Sequence, residues 1–152
     1  MPHTSLFKLP QTRIPMRTHV KVLELRTSER FQLVDITRDV EKVVQESEVK
    51  NGICVVHAPH ATAAVILNEH ESGLIRDILN KLRELFPPDA EYMHNRIDDN
   101  AHAHIASALL GSSKVLPVVN SRLVRGTWQN IFLVELDGPR NRREVVVQVL
   151  GE

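Results

Sequence analysis

The stretch Glu144-Val145-Val146-Val147-Gln148-Val149-Leu150 puts branched apolar side chains on both sides of any extended backbone built from it. Successive residues of a strand point to opposite faces, so a strand apolar on both faces needs a cover on each. The chain must therefore supply a sheet and layers to pack on it. At 152 residues it has room for about one domain core of ordinary size. Hydrophobic residues at 42% and charged residues at 25% fit a globular composition and exclude a disordered chain.

The remaining pattern divides into strands and helices that segregate along the chain. His19 to Arg26 alternates as a first strand, and Phe31, Leu33 and Val34 mark a short second one. Apolar positions at helical spacing predict a helix from about Thr37 to Val49, closed by Asn51-Gly52, and Ile53 to His57 follows as a buried strand. Asn68 and Glu71 stand in capping-box spacing before the stripe Leu74, Ile75, Ile78, Leu79, Leu82, Leu85 and Phe86, which Pro87-Pro88 ends. Asn100 caps a predicted helix Ala101 to Leu110, which Gly111 closes. Strands are expected at Lys114 to Val119, Arg122 to Val124, Trp128 to Leu136 and Arg143 to Leu150. The fold class is α+β, a mixed but largely antiparallel sheet with packed helices.

Residues 1–18 carry Pro2, Pro10 and Pro15 without a continuous apolar segment, and are expected to form a poorly ordered arm before a domain spanning 19–152. That arm has the pattern of neither a secretory signal nor a membrane span. A single cysteine, Cys54, excludes an internal disulfide and fits a reducing, cytoplasmic location. Nineteen basic residues balance nineteen acidic ones, so no global field draws the chain to nucleic acid or to a membrane.

Imidazole is the commonest protein ligand for transition metals, and this chain has eight histidines. His57 and His60 flank the end of a buried strand, and His94, His102 and His104 flank the acidic loop Asp98-Asp99. Two residues apart on a helix are about 200° apart around it, so His102 and His104 cannot both reach one ion. His104 shares a side with the small Ala101 and Ala108, whereas packing accounts for His102. Metal binding by His60, His94 and His104 stands against a reading of them as ordinary polar or packing histidines. Asp98, Asp99 and Glu69 are candidate proton carriers, or else acids placed at helix starts. Arg140, after the turn Asp137-Gly138-Pro139, is either an anion clamp or part of a solvated basic hairpin. Trp128 and Gln129 either pack or line a pocket.

In chain order, Pro59-His60-Ala61-Thr62-Ala63-Ala64 with Asn68-Glu69, His94 with Asp98-Asp99-Asn100-Ala101-His102-Ala103-His104, Leu109-Leu110-Gly111, Gly126-Thr127-Trp128-Gln129 and Asp137-Gly138-Pro139-Arg140 resemble the blocks of the YjbQ-like family, often labelled secondary thiamine-phosphate synthase. The resemblance covers about His19 to Glu152. Ala61 stands where the family usually has Thr, and His102 where it often has Asp. The resemblance implies a homotrimer and a divalent metal, Zn first and Mg as the alternative, held by His60, His94 and His104. It implies condensation of hydroxymethylpyrimidine diphosphate with thiazole phosphate, as a main or a side activity. Glu69, Asp99 and Arg140 would then be catalytic, and Thr62, Asn68, Asn100, Trp128 and Gln129 would contact a small phosphorylated substrate. The alternatives are a metal-dependent hydrolase of a small phosphorylated or polar compound and a trimeric, metal-stabilised binding protein without catalysis.

Overall fold

The computed structural model describes residues 15–152. Of the expected N-terminal arm, residues 1–14 lie outside the described residues, and Arg17 and Thr18 already belong to a strand. In order the elements are β1 (Arg17–Thr27), β2 (Gln32–Asp35), α1 (Thr37–Ser47), β3 (Gly52–His57), β4 (Ala63–Asn68), α2 (Ser72–Leu85), a 3-10 turn (Met93–Arg96), α3 (Ala101–Leu110), β5 (Ser113–Val119), β6 (Arg122–Leu123), β7 (Asn130–Glu135) and β8 (Arg140–Gly151). The class is α+β. The expectation of one mixed sheet is corrected: the strands form a five-stranded sheet, β1-β8-β3-β5-β6, and a three-stranded sheet, β2-β7-β4, with every pairing among the described residues antiparallel.

These make three layers. The inner face of the large sheet, with Cys54, Val56, Leu116, Val118, Val145, Val147 and Val149, packs on α1 and on Ala63, Val65, Ile131 and Leu133 of the small sheet. The other face of the small sheet presents Ala64, Val134 and Leu136 to α2 and α3. Strand β7 is therefore the one apolar on both sides because both sides are covered, and Ile131 to Glu135 are all buried. The run Val145-Val146-Val147 that first called for two covers receives only one from its own chain. Val146 faces outward and is half-buried.

That outer face is largely apolar, broken by Gln148, His57 and Ser113. Register places Val20, Gln148, Val55 and Val115 side by side, then Val22, Val146, His57 and Ser113, then Leu150, Ile53 and Pro117. Val20, Val22, Ile53, Val115 and Val119 are each more than two-fifths exposed.

Two helix boundaries differ from the sequence reading for local reasons. Helix α1 stops at Ser47 because Glu48 turns into the left-handed region, φ 58°. Gly52 instead lets β3 pass close to β8, where a Cβ would run into the Leu150 carbonyl. At α2 the cap is Glu71, whose carboxylate accepts from Gly73 N and Leu74 N at 2.8 and 2.6 Å, while Asn68 stays in β4 and accepts from Glu69 N. Strand β4 itself was not expected. Its residues Ala63 to Asn68 carry no alternation, because the first of them are buried from both sides.

Candidate functional site

The turn from β7 into β8 is built on a buried ion pair. Glu135 is fully buried and Arg143 is 4% exposed. Arg143 Nε donates to both Glu135 oxygens at 3.0 and 3.1 Å, and its Nη2 bonds the same carboxylate and the Thr62 carbonyl and hydroxyl. Thr27 Oγ1 donates to Glu135 at 2.6 Å and accepts from Arg140 N at 2.9 Å. Leu136 N also donates to the carboxylate. With both carboxylate oxygens and two of the three guanidinium nitrogens engaged, the two charges tolerate burial that would otherwise cost several kcal/mol each.

From this base the turn projects Asp137 and Arg140. Arg140 Nη2 donates to Asp137 Oδ2 at 2.8 Å, and Asn100 Nδ2 donates to the same oxygen at 3.0 Å. Asn100 opens α3 by position, but its side chain is spent on Asp137 rather than on the helix amides. Asn95 Oδ1 instead accepts from Ala101 N, and Arg30 holds the Asp99 carbonyl. Helix α3 is thus tied to the β7–β8 turn at its N-terminus and to β4 further along, where Ser107 Oγ donates to the Ala63 carbonyl at 2.6 Å.

The helix turns His102 inward and leaves His104 half-buried. His102 is fully buried, donates through Nε2 to the Leu136 carbonyl at 3.0 Å and packs on Phe31. Burial, the largest cause, lowers its pKa below the ordinary imidazole value. His104 meets His94 edge to face, with ring centroids 4.8 Å apart. Asp98 lies within electrostatic reach of both rings, and its carboxyl is held low chiefly by the backbone N–H of Asp99.

His60 does not join that pair. Its Nε2 accepts from Glu144 N at 2.9 Å, which fixes the ring as the neutral tautomer with its remaining N–H at Nδ1. Burial, followed by the nearby Arg143 charge, pushes its pKa down. Among the described residues no three His, Cys, Asp or Glu side chains are close enough together to hold a metal ion. Within one chain the implied set of His60, His94 and His104 does not come together: His94 and His104 meet, while the Nε2 lone pair of His60 is taken by the backbone N–H of Glu144.

The other expected contacts separate into two groups. Thr62, Asn100, Asp99 and Arg140 lie at the end of the small sheet where Ala63 pairs with Glu135. Asn68, Glu69, Trp128 and Gln129 lie at the opposite end, where Asn68 pairs with Asn130. Five strand steps between those pairs amount to about 17 Å. The far end also holds two residues that the sequence reading passed over. Asp35 accepts from Thr37 N, Thr37 Oγ1, His70 Nδ1 and Asn130 Nδ2 at 2.9, 2.6, 2.5 and 2.7 Å. Burial raises its pKa, but these hydrogen bonds outweigh it and hold the carboxyl at about 2. The Asp35-Ile36-Thr37 spacing of an acid two residues before a helix-start threonine carried part of that signal, whereas nothing local announces the partnership with His70. Arg143, which the sequence reading placed at the start of the last strand, was given no role there. Its position inside the alternation of β8 marks it as inward-facing. Cys54 is buried, and burial pushes its thiol up to about 11, so it stays a packing residue.

Residues 21–152 match the family model described as UPF0047 protein YjbQ-like. A UPF0047 protein of Methanothermobacter thermautotrophicus is 47% identical over 90% of this chain and 95% of its own length. The UPF0047 protein YugU of Bacillus subtilis is 36% identical over 81% and 93%. Among solved structures, a Sulfolobus solfataricus protein described as YbjQ-like and of unknown function superposes with a TM-score of 0.90 at 51% identity, covering 91% of this chain and all of that one. A hypothetical protein of Aeropyrum pernix gives 0.85 at 44% identity, covering 88% and 98%. These relatives carry no synthase assignment, and the chain forms no three-ligand group. The expectation of a metal-dependent thiamine-phosphate synthase is therefore withdrawn, together with its metal-dependent hydrolase and metal-clamped alternatives.

Proposed function

The chain belongs to the UPF0047 YjbQ-like family, and on that premise we propose that it binds a small phosphorylated molecule at the corner where α3 begins, as an assembly of identical copies. The observation that carries the binding site is the edge-to-face pair of His94 and His104 beside the start of that helix. Two imidazoles at 4.8 Å offer N–H donors from different elements to one oxyanion. The first turn of α3 adds the positive end of its dipole. The Arg140 guanidinium remains nearly half exposed although it is paired with Asp137, which fixes its direction. Asn100, held by Asp137, couples the helix to that arginine.

Titrating the full chain with inorganic phosphate, and separately with a sugar phosphate, tests this. The ring protons of His94 and His104 are expected to shift saturably, and His104→Ala to weaken binding about tenfold or more, about 1.4 kcal/mol. Rings that ignore both probes, or an unchanged affinity in His104→Ala, would dismiss the site.

Association of copies is supported by the open face of the five-stranded sheet. One-sided antiparallel sheets ordinarily alternate apolar with polar, and contiguous exposed apolar surface marks interaction sites. Here Val20, Val22, Ile53, Val55, Val115 and Val146 stand together on it. A second layer of the same kind would give Val146 the cover that its own chain lacks.

A further inference from the structure

A cavity of 680 Å³ lies at the far end of the small sheet, away from the α3 corner, between the start of α1 and the loop after β4. Every residue that lines it is polar or charged. Asp35, Thr37, His70 and Asn130 form one side through the hydrogen bonds described above, and Arg125 with Glu41 forms another, paired at 2.9 Å. The volume falls within the range of about 300 to 1,000 Å³ typical of small-molecule sites.

The lining holds three carboxylates, Asp35, Asp39 and Glu41, against two arginines, Arg38 and Arg125, with Glu41 paired to Arg125 and Asp35 hydrogen-bonded by His70. Such a lining does not draw an anion. It offers instead many directed donors and acceptors, which suits an uncharged ligand rich in hydroxyl groups. His70 is the most specific of them. Its Nδ1–H is committed to the Asp35 carboxylate, so Nε2 presents a lone pair, and the side chain is half exposed.

The second, independent observation is Trp128. It is the sole tryptophan of the chain and is 70% exposed, although large aromatic rings are ordinarily well buried. The turn that carries it is closed by Gln129 N to the Gly126 carbonyl at 3.0 Å and by Gly126 N to Gln129 Oε1 at 2.8 Å. Arg125 Nη1 ties that turn to the cavity by donating to the Gln129 carbonyl at 2.9 Å. Gly126 and Thr127 line an adjoining cavity of 550 Å³ that shares the Arg125–Glu41 wall. Trp128 stands in the turn between Thr127, which lines the second cavity, and Asn130, which lines the first, and an exposed aromatic ring among polar side chains suits the C–H face of a sugar ring whose hydroxyls reach those side chains.

We propose that this cavity is a second binding site, for an uncharged sugar or polyol ring, with Trp128 as the stacking platform and His70 Nε2 accepting a ligand hydroxyl. Neither the phosphate reading of the α3 corner nor its histidines enter into it.

The sole tryptophan supplies its own reporter. The full chain is titrated with methyl glucoside, ribose and inositol while Trp128 emission and the amide signals of Thr37 and Asn130 are followed. At least one probe is expected to give a saturable change in both, and inorganic phosphate none. His70→Ala, at a half-exposed position that preserves the fold by circular dichroism, is expected to weaken binding about tenfold. His70→Gln, which keeps an acceptor, should recover part of that loss. Absence of a saturable response to all three probes would overturn the proposal, as would equal binding by His70→Ala. Trp128 emission that follows protein concentration and ignores every sugar would overturn it too, because the indole would then belong to a contact between copies.

Discussion

At the residue scale, the buried Glu135–Arg143 pair sets the shape of the β7–β8 turn, and its energetics are asymmetric. Removing one partner leaves an uncompensated charge inside the fold, so Glu135→Ala is expected to cost about 3–5 kcal/mol in urea unfolding. Glu135→Leu combined with Arg143→Met removes both charges and should cost clearly less than either single change. A double variant as unstable as the sum of its parts would show that the pair is not acting as a unit. Acid sensitivity follows from the shifted groups with a definite sign. His60 and His102 have folded pKa values below the ordinary 6.5, so the unfolded chain takes up those protons first and stability declines as pH falls below about 6.5. Asp35 contributes fully above its ordinary 3.8 and loses that contribution as pH falls towards about 2. The urea midpoint should therefore fall in two stages on acidification, and a midpoint that rises between pH 7 and pH 5 would contradict this account.

At the scale of elements, caps and close approaches separate what local sequence encodes from what the fold imposes. Glu71 closes the first turn of α2, so Glu71→Ala should destabilise by about 1 kcal/mol, whereas Asn68→Ala should leave the helix untouched. Comparable losses from both would restore Asn68 as the cap. Gly52→Ala should be strongly destabilising, because the added methyl meets the Leu150 carbonyl of a neighbouring strand that cannot move aside. The helices were legible from periodicity, and α3 matches its expected span residue for residue, although Asn100 marks its start by position and not by a side-chain cap. Strand β4 was not, since a short run buried on both faces shows no alternation and reads equally well as loop or helix. Of the candidate site, the placement of His104 and His102 on opposite sides of α3 followed from helix geometry alone. The capture of His60 by the backbone of Glu144 did not, because it depends on how β8 passes the loop after β3, eighty-four residues away.

At the scale of the whole molecule, the three layers leave one sheet face without a cover. If copies associate through it, a charge placed there should break the assembly without unfolding the subunit. Val22→Glu and Val115→Lys are both on exposed strand positions. Light scattering coupled to size exclusion is expected to show a subunit multiple for the unaltered protein and a monomer for either variant. A monomeric unaltered protein would remove the proposal of association.

The pairing of β1 with β8 joins residues 17–27 to residues 140–151 along ten matched positions. During synthesis the first of these strands leaves the ribosome roughly a hundred residues before its neighbour, a delay of roughly 5 to 20 seconds at the usual 5–20 residues per second. Throughout that interval Val20, Val22, Leu23 and Leu25 lack the strand that pairs with them, so the edge of the larger sheet can close only after β8 has emerged.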